Sequence, residues 1–206
     1  MQYWNDQTTE KSWDILQQIK GKFKFILIGG WAVYLWTKTA KSKDIDIIID
    51  FNTLSKLKQE YQVNKNTNLK KYEIKIDNID IDIYLKFFSE LTIPAQDIQT
   101  TEIEGFETPK IEELIILKQG AELDRRKSEK GEKDRIDIFS LLFNCSIDFK
   151  RYLKILKQSN LTNYFTNLTS LIRSSNPTTQ SKYLSLTPRE FKLKKQELLD
   201  RLRKIR

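Results

Sequence analysis

Asp44-Ile45-Asp46 sets two carboxylates two residues apart in a run, Asp44 to Phe51, that reads as a β-strand. On a strand that spacing puts both side chains on one face, with Cα atoms roughly 6.5–7 Å apart. Two ionised carboxylates that close repel one another, and burying them is expensive unless a cation or hydrogen bonds compensate. A divalent ion resolves the cost, and an all-oxygen donor set suits Mg²⁺ or Mn²⁺ better than zinc. A second pair, Asp80 and Asp82, repeats the arrangement within the β-rich run Ile79 to Phe87. If the two strands are neighbours, one of these carboxylates completes a three-carboxylate cage. Alternating Asp and Ile is equally the pattern of a half-exposed antiparallel strand.

The residues before Asp44 narrow the choice. Ile26-Leu27-Ile28-Gly29-Gly30-Trp31-Ala32 is an apolar strand that passes through two glycines into a short helix ending near Thr39. Glycines there let the backbone approach a phosphate, and a helix N-terminus offers free N–H donors at its positive end. A tight turn also uses Gly-Gly. Thirteen residues separate Gly30 from Asp44, enough for a short helix and a return to an adjacent strand.

Composition removes several chemistries. The chain of 206 residues contains no histidine, which excludes Ser-His-Asp and Cys-His mechanisms. Its one cysteine, Cys145, reads as a small buried apolar residue; it forms no internal disulfide and agrees with a reducing compartment. No basic start leads into an apolar run and nothing approaches the roughly 20 apolar residues of a membrane span, so a soluble cytoplasmic protein without a membrane partner is expected. A net charge of +8 suggests a polyanionic partner. The last twenty residues hold eight Lys or Arg against three Asp or Glu, so much of the excess lies in the tail.

The elements that must position these groups follow from periodicity. Trp13, Leu16 and Ile19 predict an early helix, and the segment after Phe51 is a helix or a loop. Tyr72 to Ile76 and Ile79 to Phe87 predict a hairpin turning at Asp77-Asn78, residues that tolerate left-handed backbone. After Thr92 the pattern becomes helical: Thr108-Pro109 reads as an N-cap with Pro at the first helical position, opening a helix through Leu114 and Leu117. Asp134 to Phe143 and Asp148 to Arg173 predict further helices, the latter interrupted near Asn160, and Ser174 to Ser181 a polar linker. Thr187-Pro188-Arg189-Glu190 is a capping box for a last helix with Phe191, Leu198, Leu202 and Ile205 on its apolar stripe. Lys194, Lys195, Arg201 and Arg203 are expected to point outward from it. The fold class is α+β, a small mixed sheet flanked by helices in residues 1–105, followed by a helical domain in residues 106–206 with a basic terminal helix.

Strand, Gly-Gly, short helix, Asp-x-Asp and a later acidic strand, in that order, resemble the DNA polymerase beta nucleotidyltransferase superfamily over roughly residues 23 to 86. The resemblance implies that Asp44, Asp46 and a third carboxylate bind Mg²⁺ or Mn²⁺ and are catalytic, that Gly29 and Gly30 cradle the phosphates, and that Ser42 matches the family's hydroxyl before the Asp-x-Asp. Ile81-Asp82-Ile83-Tyr84 looks most like the family's third acidic strand, so Asp82 is the choice and Asp80 the alternate. The stretch Glu113 to Ala121, with Asp124-Arg125-Arg126 and Lys130 to Asp137, looks like the helical motifs of nucleotidyltransferase toxins of type IV toxin-antitoxin systems. It implies that Lys118 and Arg125 bind the nucleotide, that Asp137 orients these basic groups, that RNA such as tRNA is an acceptor, and that an antitoxin protein is a partner. Lys118 and Arg125, seven apart, share one helical stripe; an ordinary solvated helix surface gives the same spacing.

The activity so implied is transfer of a nucleoside monophosphate from a triphosphate such as ATP to a hydroxyl, releasing pyrophosphate. Two other readings compete with it: a small-molecule transferase of the antibiotic-modifying kind, and a non-catalytic module whose basic tail binds nucleic acid or an acidic partner.

Overall fold

A computed structural model describes residues 3–205 and contains one mixed sheet with helices around it. Helix α1 (Asp6–Lys20) leads to β1 (Ile26–Ile28), which runs directly into α2 (Gly29–Thr37), then β2 (Ile45–Ile49) and α3 (Phe51–Glu60). The strands β3 (Asn64–Asn66), β4 (Lys71–Ile76), β5 (Ile79–Leu85), β6 (Thr100–Ile103) and β7 (Phe106–Pro109) follow. From there on the longer elements are helical: α4 (Ile111–Arg125), α5 (Glu129–Asn144), α6 (Phe149–Gln158), α7 (Tyr164–Ser174), the single turn α8 (Pro177–Gln180) and α9 (Pro188–Arg203). The order across the sheet is β3-β4-β5-β2-β1-β7-β6. The expected α+β class, a mixed sheet flanked by helices, is the observed one.

The centre of the sheet is apolar because its strands are Ile-rich runs covered on both faces. Ile45, Ile47, Ile48, Ile49, Ile81 and Ile83 are all buried. The hairpin β4–β5 turns at Asp77-Asn78 with φ of 50° and 69°, the two-residue turn whose twist matches the strands. That turn fixes the register Glu73 to Asp82 and Tyr72 to Ile83. β2 then pairs in parallel with β5, Asp46 opposite Asp82.

Sequence periodicity missed the second hairpin. Residues after Thr92 read as helical, yet β6 and β7 pair antiparallel and β7 joins β1. Thr108-Pro109 is accordingly the end of a strand and not a helix start; the cap residue of α4 is Lys110. The competing signal was Gly105 at φ 73°, a turn residue between β-branched Thr100-Thr101 and Phe106. Pro109 is tolerated at the strand end, where Trp36 Nε1 donates to its carbonyl at 3.2 Å. Cys145 is only partly buried, its thiol raised to about 11 by desolvation.

The last helix carries the predicted capping box: the Thr187 hydroxyl accepts from the Glu190 N–H at 3.2 Å while Glu190 accepts from the Thr187 N–H at 2.7 Å. Three of its four singled-out cations do not simply face solvent. Lys194 Nζ donates to the Phe143 carbonyl at 3.0 Å, Lys195 Nζ to those of Arg173 and Ser175 at 2.7 and 3.1 Å, and Arg201 to that of Ile147 at 3.5 Å. These carbonyls lie at or just past the C-termini of α5 and α7, where unpaired acceptors and the negative end of the helix dipole attract cations. The charge excess of the tail is therefore in part a docking device.

Phe191 anchors that docking, fully buried with its ring 5.3 Å from Phe139 and 5.1 Å from Phe143. Phe191→Ala is expected to cost about 3–5 kcal/mol in urea unfolding. A loss under ~1 kcal/mol would mean that α9 contributes little to the folded state.

Candidate functional site

The site lies where β1 turns into α2. Gly29 adopts φ +68°, and a Cβ added there would overlap the Asp46 carboxylate; one at Gly30 would crowd Ser42 Oγ. Both glycines are thus required by close approach, which brings the N-terminus of α2 against the Asp-x-Asp segment. Ser42 is buried and donates to the Asp44 carbonyl at 3.1 Å, which fixes the loop that enters β2.

Asp46 is the central carboxylate. It stands opposite Ile28 of β1 on one side and Asp82 of β5 on the other. Burial, the neighbouring Asp82 and then Asp44 push its carboxyl up to about 6, with Lys118 and Arg125 acting in the opposite sense. Burial likewise raises Asp82, partly offset by Lys71. Asp80, the alternate, shares the face of Asp82 but lies beyond the β2–β5 pairing: its side chain is 61% exposed and pairs with Lys75 at 3.3 Å. Of the two carboxylates on β5, only Asp82 faces Asp46.

Each carboxylate flanking Asp46 meets an ammonium. Lys130 Nζ of α5 is 2.9 Å from Asp44 Oδ2, and Lys71 Nζ of β4 is 2.7 Å from Asp82 Oδ2. Among the described residues no group of three or more His, Cys, Asp or Glu side chains stands ready to hold a metal ion. Asp44 and Asp82 are engaged by these lysines.

A second charged layer joins α4 to α5. Lys118 is buried and reaches Asp134 at 3.1 Å and Asp137 at 2.7 Å, while Arg125 donates to Asp134 at 2.8 Å and Lys133 pairs with Asp137. Burial alone would lower the Lys118 ammonium, but Asp137 and Asp134 more than compensate and hold it above the ordinary lysine value. Asp134 is pushed up by burial and, more strongly, down by Lys118 and Arg125, so it lies below the usual carboxylate range. Lys118 and Arg125 therefore occupy the expected common stripe, with Asp134 and Asp137 as the groups that orient them. Gly131, at the start of α5, lies so close to the Arg125 carbonyl that a side chain there would collide with it, which keeps the α4–α5 turn tight.

Two depressions meet at Asp46. A small cleft of about 50 Å³ is lined by Trp4, Gly30, Ser42, Asp44, Asp46, Lys118 and further basic groups. A cavity of about 510 Å³ opens on the other side, with Asp82, Tyr84, Leu91, Leu117 and Asp124 among its walls. Asp46, Lys118, Arg125 and Lys130 border both. Sequence reasoning did not single out Lys71, Lys130 or Tyr84. Lys130 stood within a quoted motif, and Lys71 is placed only by the register of the hairpin.

The model of a family described as nucleotidyltransferase of unknown function, DUF6036, matches residues 8–171. The chain belongs to this nucleotidyltransferase family. Solved structures with the same fold include a candidate nucleotidyltransferase from H. pylori, 16% identical with a TM-score of 0.57, covering 98% of this chain and 99% of that one. JHP933 from Helicobacter pylori is also 16% identical, with a TM-score of 0.53, over 97% of this chain and 95% of that one. ANT(2")-Ia, solved in complex with adenylyl-2"-tobramycin, is 13% identical with a TM-score of 0.50, over 76% of this chain and 98% of that one. No curated protein matches the sequence. At these identities the likeness is one of fold. Among the described residues no helix of this nucleotidyltransferase is long and apolar enough to cross a membrane.

The raised Asp46 carboxyl has a thermodynamic consequence. An acid whose pKa is higher in the folded state stabilises the fold below its unfolded pKa, and that contribution is lost as the pH rises through about 6. Asp46→Asn in metal-free buffer is therefore expected to gain on the order of 1–2 kcal/mol above pH 7, and nothing below about pH 4. Chemical denaturation across that range reads it directly; a variant less stable than wild type at pH 8 contradicts the assigned strain.

Proposed function

We propose that this nucleotidyltransferase moves a nucleoside monophosphate from a nucleoside triphosphate to a hydroxyl acceptor, with Asp44, Asp46 and Asp82 as its catalytic, cation-binding carboxylates. The observation that carries the reading is the opposition of Asp46 and Asp82 across β2 and β5 beside the Gly29-Gly30 turn. The donor set fits Mg²⁺ or Mn²⁺: its atoms are carboxylate oxygens, Asp46 is raised by burial and then by its acidic neighbours, and two ammonium groups already lie on Asp44 and Asp82. A bound divalent ion would acidify the attacking hydroxyl and offset charge on the departing pyrophosphate.

The protein's own groups supply the remainder. Backbone N–H groups at Gly29, Gly30 and the start of α2 receive phosphate oxygens, and the Ser42 hydroxyl lies beside them. Lys118, fixed by Asp134 and Asp137, acts as an oriented point charge, and Arg125 reaches the same cleft. The acceptor enters from the 510 Å³ cavity, so that its hydroxyl arrives beside Asp82. The hydroxyl oxygen bonds to the α-phosphorus, the bond to the bridging oxygen breaks, pyrophosphate leaves with the electron pair, and Asp82 receives the hydroxyl proton.

For the acceptor, the resemblance of the α4–α5 motifs to toxin transferases supports RNA, such as tRNA, with an antitoxin protein as partner and the cytoplasm as the place of action. A small hydroxylated molecule is the second reading. The bounded cavity and the engagement of Lys194 and Lys195 by backbone carbonyls support it.

Incubation with each α-labelled triphosphate, total RNA and a panel of small hydroxylated acceptors is expected to label one class of acceptor. Asp46→Asn and Asp82→Asn should each lower transfer by at least about a thousandfold, since a cation ligand supplies several kcal/mol at the transition state. Asp80→Asn should stay within about threefold of wild type. Activity of Asp46→Asn within tenfold of wild type would overturn the proposal.

A further inference from the structure

Lys71 is a buried lysine between two carboxylates. Its side chain is 11% exposed, and its Nζ lies 2.7 Å from Asp82 and 3.1 Å from Glu73. Glu73 stands directly opposite Asp82 in the β4–β5 register, so Lys71, Glu73 and Asp82 share one face of the sheet. Glu73 is itself pinned, accepting from Asn66 Nδ2 of β3 at 3.0 Å. Lys71 and Asp82 both line the 510 Å³ cavity. The arrangement offers one ammonium two berths, of which only Asp82 adjoins Asp46.

Resting on the reading of Asp82 as a cation ligand, we infer that Lys71 and Glu73 form a positioning pair that controls how readily Asp82 accepts a divalent cation. Lys71 competes with that cation for the Asp82 carboxylate. Glu73 retains the ammonium when Asp82 is taken, so the charge shifts about one carboxylate's width within the sheet and is never left buried without a partner, the costly alternative. Asn66 holds the receiving carboxylate in place. Neither residue touches the reacting atoms; both act through Asp82.

Mn²⁺ binding to the full-length protein, followed by electron paramagnetic resonance without nucleotide or acceptor, separates the possibilities. Lys71→Met should tighten Mn²⁺ binding by about tenfold, because the competitor is gone. Glu73→Gln should weaken it by a similar factor, because Lys71 then depends on Asp82 alone. In the Lys71→Met background the Glu73→Gln effect should vanish, since Glu73 acts through the lysine; this coupling distinguishes the pair from plain charge effects. Lys75→Met, which removes an exposed ammonium from the same strand, should change affinity less than twofold. Additive effects of the two substitutions, or a Lys75→Met shift equal to that of Lys71→Met, would overturn the inference and leave the metal reading intact. Wild-type binding unaffected by Asp46→Asn would overturn both.

Discussion

The structure depends on placing Asp46 beside Asp82 on adjacent parallel strands, in a site that water only partly reaches. Burial penalises the Asp46 charge and the neighbouring Asp82 repels it, and the two together raise its carboxyl. The sheet supplies the restraint: isoleucines before and after each aspartate are buried, so neither strand can slide by one residue without turning its apolar side chains outward. Cations from three further elements surround the pair, Lys71 from β4, Lys118 and Arg125 from α4, and Lys130 from α5. Stability is given up locally so that an electrostatic site stands ready, a trade usual at functional sites.

The helical half serves the same end. Lys118 is held within α4 and α5 by Asp134 and Asp137, and Arg151 of α6 clamps Glu112 and Glu113 at the N-terminus of α4, with 2.6 Å to Glu112. A largely buried ion-pair network of this kind fixes the direction of each charge more than it adds net stability. Lys194 and Lys195 of α9 tie down the C-terminal ends of α5 and α7, so the basic tail contributes to the rigidity of the same layer. Partner binding by α9 would rest on its exposed cations, Arg189, Lys192 and Arg203 among them.

Much of this was legible in the residues. Apolar runs, the Gly-Gly turn, Asp-x-Asp and the Asp77-Asn78 turn identified β1, α2, β2 and the β4–β5 hairpin, because strand period and left-handed turn residues are local signals. The β6–β7 hairpin was not: its strands are four residues each, and Thr108-Pro109 carries a helix-start signal that pairing with β1 and β6 overrides. Lys71 lay hidden for a different reason. Its partners are set by counting outward from the hairpin turn, which puts Glu73 against Asp82, and neither composition nor spacing along the chain reveals that. Of the outward cations expected on α9, Arg201 and Arg203 are exposed, whereas Lys194 and Lys195 are drawn in because helix C-terminal carbonyls, invisible in a linear reading, compete with solvent for them.

If the β1–α2 turn and the paired carboxylates of β2 and β5 form one nucleotide-and-cation site, both ligands must be found there together. Crystals grown with Mn²⁺ and a non-hydrolysable nucleoside triphosphate test it through anomalous scattering at the manganese edge. The expected result is manganese bonded to carboxylate oxygens of Asp46, with Asp44 or Asp82 as a further ligand and the triphosphate against the Gly29-Gly30 turn. Manganese and nucleotide bound elsewhere, with Lys71 and Lys130 still seated on Asp82 and Asp44, would contradict it.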